Sequence, residues 1–305
     1  INKLRLYPNS DATDLRAALA KYYDLDENQV FIGNGSDEVL ALTFLTFFNG
    51  NEPVLFPDIT YSFYPVYCDL YQMNYQLVRL DDDFKINVND FMQPNSGIIF
   101  PNPNAPTGVL VDLDFIETVL KNNPNSIVVV DEAYIDFGGT SCVPLIDKYD
   151  NLIVVQTFSK SRSLAGIRLG VALGSKEAIS HLYDVKNSFN SYPIDYITQQ
   201  IALASILDDQ DTKNKCSKII EIREFTKTKL KELGFKVTDS YANFVFARHP
   251  EIDGKELFLA LRKKGIIVRH WNKERIDQYL RISIGTMEQM KIMLEFLSEY
   301  IEKRS

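Results

Sequence analysis

The sequence predicts an α/β protein in two parts: a large α/β domain with a mostly parallel central sheet over residues 1–206, then a smaller C-terminal α+β domain over 207–305. Three observations predict it. Early in the chain a short apolar run, a polar or glycine-containing turn and a helical stretch recur, as they do where crossover helices cover parallel strands on both faces. The polar run 207–215 breaks that rhythm and leads into a long charged helix. With 305 residues, 45% of them hydrophobic and 12% aromatic, the chain can bury a large core.

Taken in order, Leu15, Ala18, Leu19 and Tyr22 recur at helical spacing and predict a helix over 15–23. Apolar runs at 54–56, 98–100, 127–130, 153–155 and 171–173 are short enough to be buried strands. Past the charged helix, strands are expected at 244–246, 266–268 and 280–284, followed by an amphipathic C-terminal helix. No internal repeat or low-complexity linker interrupts this order.

Composition narrows the partners. A formal charge of −8 disfavours attraction to nucleic acid or to acidic membranes. No run approaches the roughly 20 apolar residues of a membrane span, and residues 1–16 lack a signal-peptide core. Small-molecule substrates and a cytoplasmic location are therefore expected. Cys68, Cys142 and Cys216 are odd in number and widely spaced, which predicts buried reduced thiols. His181, His249 and His270 are too scattered for a metal triad and are read as structural, with no metal expected. Asp81 to Asp83 reads as a solvated loop, and Trp271 as packing near a site mouth. The chain opens on Ile1, so a short preceding segment is expected to be absent from it.

In α/β sheets ligands collect at the carboxyl ends of strands, and two such ends carry polar residues that make chemical sense together. The run 127–130 ends in Asp131-Glu-Ala-Tyr134, and the run 153–155 ends in Gln156-Thr-Phe-Ser-Lys160, with Arg168 eight residues beyond the lysine. Either alone is ordinary, since strand-end acids are usually caps and loop lysines are usually solvated. Together they match what pyridoxal 5′-phosphate (PLP) needs: Lys160 for a Schiff base, Asp131 to keep the pyridine nitrogen protonated, and Arg168 to grip the phosphate bidentately. Upstream, Gly33-Asn-Gly-Ser-Asp-Glu38 feeds a helical run and offers free N–H groups to that phosphate.

With these residues in order, the sequence resembles the fold-type-I PLP-dependent aminotransferases, and within them the histidinol-phosphate aminotransferases. The resemblance covers essentially the whole chain. It rests on Leu6-Tyr-Pro8, residues 33–38, Thr60-Tyr-Ser-Phe-Tyr64, Pro101-Asn-Pro-Asn-Ala-Pro-Thr-Gly108, Asp131 to Tyr134, Lys160 to Gly170, and Leu280-Arg-Ile-Ser-Ile-Gly-Thr286. It implies that Gly35, Ser36 and Asp37 cradle the phosphate through backbone amides, with Thr157 and Ser159 beside them. Tyr61 would stack on the pyridine ring, Tyr134 would bond its hydroxyl, and Arg281 would bind substrate carboxylate. Tyr7 would reach the site of a partner subunit in a homodimer. The implied substrates are glutamate and a phosphorylated imidazole amine, histidinol phosphate, in histidine biosynthesis.

One further arginine is a candidate on chemical grounds. A site that serves a dicarboxylate and a phosphate ester needs receptors indifferent to which oxyanion arrives, and guanidinium forks suit that role. Arg269 therefore joins Arg281. The chain departs from the family in three places. Ala105 stands where the family usually has an Asn that bonds the ring hydroxyl, so Asn104 either substitutes from next door or leaves Tyr134 to hold it alone. Met287 follows Gly285-Thr286 where a charged residue is common. The substrate-covering Asn-Glu-Asn-Pro stretch is not visible. Sister activities on the same scaffold, a threonine-phosphate decarboxylase or an aromatic amino-acid aminotransferase, share these motifs; a non-catalytic PLP-binding sensor would carry a basic DNA-binding domain ahead of them.

Overall fold

The computed structural model describes residues 2–304. Helix α1 (Thr13–Tyr23) buries Leu15, Leu19 and Ala20, and strand β1 (Val30–Asn34) runs directly into helix α2 (Gly35–Phe47). Strand β2 (Val54–Pro57), helix α3 (Phe63–Tyr71) and strand β3 (Tyr75–Val78) follow. Next come β4 (Gly97–Pro101), α4 (Leu113–Asn122), β5 (Val128–Asp131), β6 (Leu152–Thr157), β7 (Leu169–Gly174), α5 (Lys176–Phe189) and α6 (Tyr196–Leu207).

Among the described residues these strands form one sheet in the order β1-β7-β6-β5-β4-β2-β3. The run from β3 to β6 is parallel, whereas β7 lies antiparallel to both β6 and β1. Alternate residues feed opposite cores, which is why these strands read as unbroken apolar runs. Val128 and Val130 pack with Leu15, Ile116, Val119 and Ala202 on one face. Val129 packs with Val39, Phe44, Tyr64 and Leu182 on the other.

Helix α7 (Asp209–Glu232) leads to β8 (Lys236–Val237), β9 (Phe244–Arg248), α8 (Gly254–Lys263), β10 (Arg269–His270), β11 (Leu280–Ser283) and α9 (Met287–Glu302). These strands pair antiparallel in the order β10-β11-β9-β8. One face of this sheet, with Val245, Ala247, Leu280 and Ile282, packs on Leu257, Leu261, Met293 and Leu297. The other face meets the first sheet's loops: Phe246 packs with Ile59, Leu80 and Phe84, and Phe244 with Ala105 and Tyr134.

Four local readings change. Strand β1 was hidden because Gly33 and Asn34 look like a turn, and β3 because it is an edge strand with Tyr75, Gln76 and Leu77 exposed. Residues 266–268 are not a strand; Val268 is buried under α8 while Ile267 stands exposed, and pairing begins only at Arg269. The polar run 207–215 is helical from Asp209, supported by acids at its N-terminal end and by the ion pairs Lys213–Asp209 and Lys215–Asp211. All three cysteines are buried thiols. Among the described residues no helix is long and apolar enough to cross a membrane.

Candidate active site

A cavity of about 190 Å³ opens at the carboxyl ends of β5 and β6. Asp131, Tyr134, Thr157, Ser159, Lys160, Arg168, Ser36, Asp37 and Tyr61 all line it, together with Ala105 and Ala165. Residues far apart in sequence meet here because β5 and β6 pair in register, Asp131 opposite Val155, and both turn outward at the same level.

Asp131 ends β5 and is buried. Its Oδ2 accepts a hydrogen bond from the Tyr64 hydroxyl at 3.0 Å and its Oδ1 one from the Ala133 N–H at 3.2 Å. Burial pushes its carboxyl up to about 6, against the opposing pull of those two donors and of the Lys160 charge. The Tyr64 hydroxyl is driven well above its ordinary range by the same burial and by Asp131, so it stays a donor. Glu132, next in sequence, faces away and is consumed structurally: it accepts from Ser141 at 2.6 Å, the Cys142 N–H at 2.7 Å and Gln156 at 2.8 Å, fixing the turn that presents Tyr134.

Lys160 lies in the loop that joins β6 to β7, and its Nζ stands 5.4 Å from the centre of the Tyr134 ring. At the far end of that loop Arg168 adopts a left-handed conformation, φ 53°. Its guanidinium bonds the Asp37 carboxylate at 3.1 Å. The second Asp37 oxygen accepts from the Tyr61 hydroxyl at 2.7 Å, so one carboxylate orients both side chains.

The N-terminus of α2 is brought close by two glycines. A Cβ on Gly170 would stand 2.4 Å from the backbone of Gly35 and Ser36, and one on Gly35, itself at φ +79°, 2.5 Å from the Arg168 guanidinium. This close approach aims the first N–H groups of α2 into the cavity beside Arg168. The residues fit PLP: a cradle that admits no side chain for the phosphate, a buried carboxyl in want of a cationic partner, and an amine between them.

Asn104 is placed differently. Its Nδ2 donates to the Ile59 carbonyl at 3.0 Å and to Thr107 at 2.9 Å, and it sits buried behind Ala105, which faces the cavity. Tyr7 is also away from this cavity, 83% exposed, with its ring against Tyr192.

Arg269 and Arg281 lie in an adjoining cleft with Phe258, Arg262, His270 and Ser283. They are direct cross-strand partners in the β10–β11 pair. Like charges so placed repel, and burial, with a contribution from Arg269, lowers the Arg281 pKa despite an opposing influence of Tyr134. Their contacts are aromatic: both guanidinia stand 5.4 Å from the Trp271 ring, and Arg281 lies 5.1 Å from Phe244. Phe244 in turn meets Tyr134 edge to face. Among the described residues neither arginine forms an ion pair with a carboxylate.

Sequence reasoning passed over Tyr64 and the side chain of Asp37. Tyr64 falls three residues after Tyr61 on the apolar face of α3 and reads as core, which it also is. The three histidines stay outside the cavity; His270 Nε2 is bonded to the Asp277 carbonyl at 2.7 Å. No group of three or more His, Cys, Asp or Glu among the described residues could hold a metal ion.

Residues 1–297 match the family model for class I and II aminotransferases. A histidinol-phosphate aminotransferase from Lactococcus lactis subsp. cremoris is 60% identical, over 99% of this chain and 85% of the relative. Among solved structures, the histidinol-phosphate aminotransferase of Clostridium acetobutylicum superposes with a TM-score of 0.92 at 24% identity, covering 99% of this chain and 92% of that one. That of Sinorhizobium meliloti, in complex with pyridoxal 5′-phosphate, gives 0.88 at 20% identity, over 100% of this chain and 85% of that one.

Proposed function

The chain belongs to the class I and II aminotransferases, and on that premise we propose that it exchanges an amino group between glutamate and the phosphate ester histidinol phosphate. The observation that carries the substrate is the unpaired arginine couple beside the Lys160 cavity. Two guanidinia held together at a cost need an anion to offset it, and a carboxylate or a phosphate ester can each do so bidentately.

The enzyme is PLP-dependent. Arg168, Ser36, Asp37, Thr157 and Ser159 would hold the phosphate, Asp131 the pyridine nitrogen, Tyr134 the ring hydroxyl and Tyr61 the ring face. Bound there, PLP would supply a carbonyl able to take the amine of Lys160 or of the substrate, and a protonated ring able to withdraw electrons from the carbon bearing that amine. Asp131, buried and oriented by the hydrogen bonds its oxygens accept from Tyr64 and Ala133, would pair with the pyridine nitrogen and hold a proton there. Once the substrate amine has taken its place, the freed Lys160 Nζ can take the proton from the substrate carbon, and the face of the Tyr134 ring would stabilise the ammonium that results. Arg281 and Arg269 set the distal oxyanion, so that the carbon to be deprotonated lies within reach of Lys160. With Asn104 committed to Ile59 and Thr107, Tyr134 is left to hold the ring hydroxyl.

The active form is a homodimer in which Tyr7 serves the partner's cavity. Its support is an exposed apolar surface of Leu4, Leu6, Tyr7, Phe189 and Tyr192. Small phosphorylated substrates and the absence of a spanning helix among the described residues fit action in the cytoplasm.

The test is turnover of purified holoenzyme with glutamate and imidazole-acetol phosphate, followed by release of 2-oxoglutarate. Arg281→Ala should raise KM for both substrates, on the order of tenfold or more, because a partly buried charge-assisted pair is lost; Arg269→Ala, whose guanidinium is exposed, should raise it in the same direction by less, and the cofactor absorbance should not move in either. An Arg281→Ala enzyme with unaltered KM in both half-reactions would overturn the assignment.

A further inference from the structure

The loop between β10 and β11 carries more than Trp271. Arg275 within it donates to the Asp58 Oδ2 at 2.6 Å and, through its other terminal nitrogen, to the carbonyls of Leu80 at 2.7 Å and Asp81 at 2.8 Å. Lys273 Nζ adds a bond to the Asp58 carbonyl at 2.7 Å. Asp58 is itself held, its Oδ1 accepting the Leu80 N–H at 3.0 Å. The Arg275 and Asp58 side chains are 20% and 22% exposed, and Ile276 beside them is buried with Ile59, Leu80 and Phe84. Arg275 makes these bonds from φ +71°, a region that favours glycine. A strained arginine that directs three of its five donors to Asp58, Leu80 and Asp81 is a device for fixing position.

What it fixes lies at the two ends of the contact. Asp58 precedes Ile59 and Thr60, which lead to Tyr61 in the wall of the cofactor cavity. Arg275 follows Trp271, against which both Arg269 and Arg281 rest. The pair therefore spans from the element that holds the cofactor ring to the element that holds the distal anion. We propose that Arg275 and Asp58 are positioning residues that set the reach between cavity and arginine couple, and thereby select amines carrying an oxyanion at that reach. This rests on the reading of Arg269 and Arg281 as anion receptors.

Selectivity is the readout, since a general loss of structure lowers all rates alike. With purified holoenzyme, kcat/KM is measured for histidinol phosphate and for histidinol, the same amine without its phosphate. Arg275→Gln and Asp58→Asn should lower the ratio of the two by about tenfold or more, chiefly through KM for the phosphate ester, and Arg275→Lys, which keeps a charge opposite Asp58, should recover part of it. Asp58→Asn retains an oxygen for the Leu80 N–H, so it decides the matter should Arg275→Gln fail to fold. Arg275 and Asp58 variants with the wild-type ratio overturn the positioning role alone. A wild-type enzyme indifferent to the phosphate overturns the arginine receptor and the positioning role with it.

Discussion

Asp131 shows how one residue is held in tension. In the folded chain its carboxyl keeps a proton up to about pH 6, whereas unfolded it would release it near 4. The folded state thus binds the extra proton between those values. The stability this group contributes is full below about pH 4 and is lost as pH rises through 6, by at most about 3 kcal/mol. Asp131→Asn should accordingly make the cofactor-free protein more stable than wild type at pH 7.5, with the difference vanishing near pH 4; urea unfolding at both pH values measures it. The same variant with PLP bound should lose several orders of magnitude in rate, because an amide cannot keep the ring nitrogen protonated. Greater stability with lower activity separates a tuned site residue from a merely structural one. That Asp131 and Lys160 line one cavity was legible in the sequence, because polar segments at the ends of apolar runs stand out. Tyr64 and Arg275 were not: one looks like core, the other like a surface charge, and only the fold brings their partners to them.

At the scale of elements, the sequence marked strands by burial and could not mark their direction. Residues 171–173 read as one more member of a parallel sheet, yet β7 runs the other way. The hydrophobic pattern of a strand covered on both faces is the same in either direction. Cross-strand register was equally silent, so the facing of Arg269 and Arg281 came only with the β10–β11 pairing. The contact of β7 with the start of α2 carries its own prediction. Gly170→Ala would place a methyl against the backbone of Gly35 and Ser36, which cannot move aside as a side chain could. The helix N-terminus should shift away from Arg168, at about 1–3 kcal/mol in stability, and cofactor should dissociate more readily. Dialysis followed by absorbance would show it, and undiminished retention by Gly170→Ala would mean that the cradle tolerates the shift.

For the whole molecule, the proposed dimer makes a statement that neither chain can satisfy alone. If Tyr7 completes the partner's site, a Tyr7→Ala chain keeps a good lysine and lacks a good neighbour, and a Lys160→Ala chain is the reverse. Each homodimer should be impaired at both sites, while a mixed dimer regains one complete site. Random reassociation of equal amounts should restore about a quarter of wild-type sites. Separate unfolding and co-refolding of the two variants, then an activity assay, tests this; activity no higher than the mean of the two variants would leave Tyr7 within its own chain.

The hairpin formed by β6 and β7 has a consequence for how such a chain can change over generations. Lys160 and Arg168 sit on one loop whose ends are pinned by the pairing of Thr157 with Gly170. A residue gained or lost between them cannot be absorbed as slack, since it alters the spacing of the proposed covalent and ionic holds on a single small molecule. The turn at Pro124 and Asn125, exposed at the amino end of β5 and so away from the cavity at the strands' carboxyl ends, carries no such double obligation. Inherited insertions and deletions should therefore be admitted at that turn and refused at the hairpin, so that the chain drifts in length only where its chemistry does not measure distance.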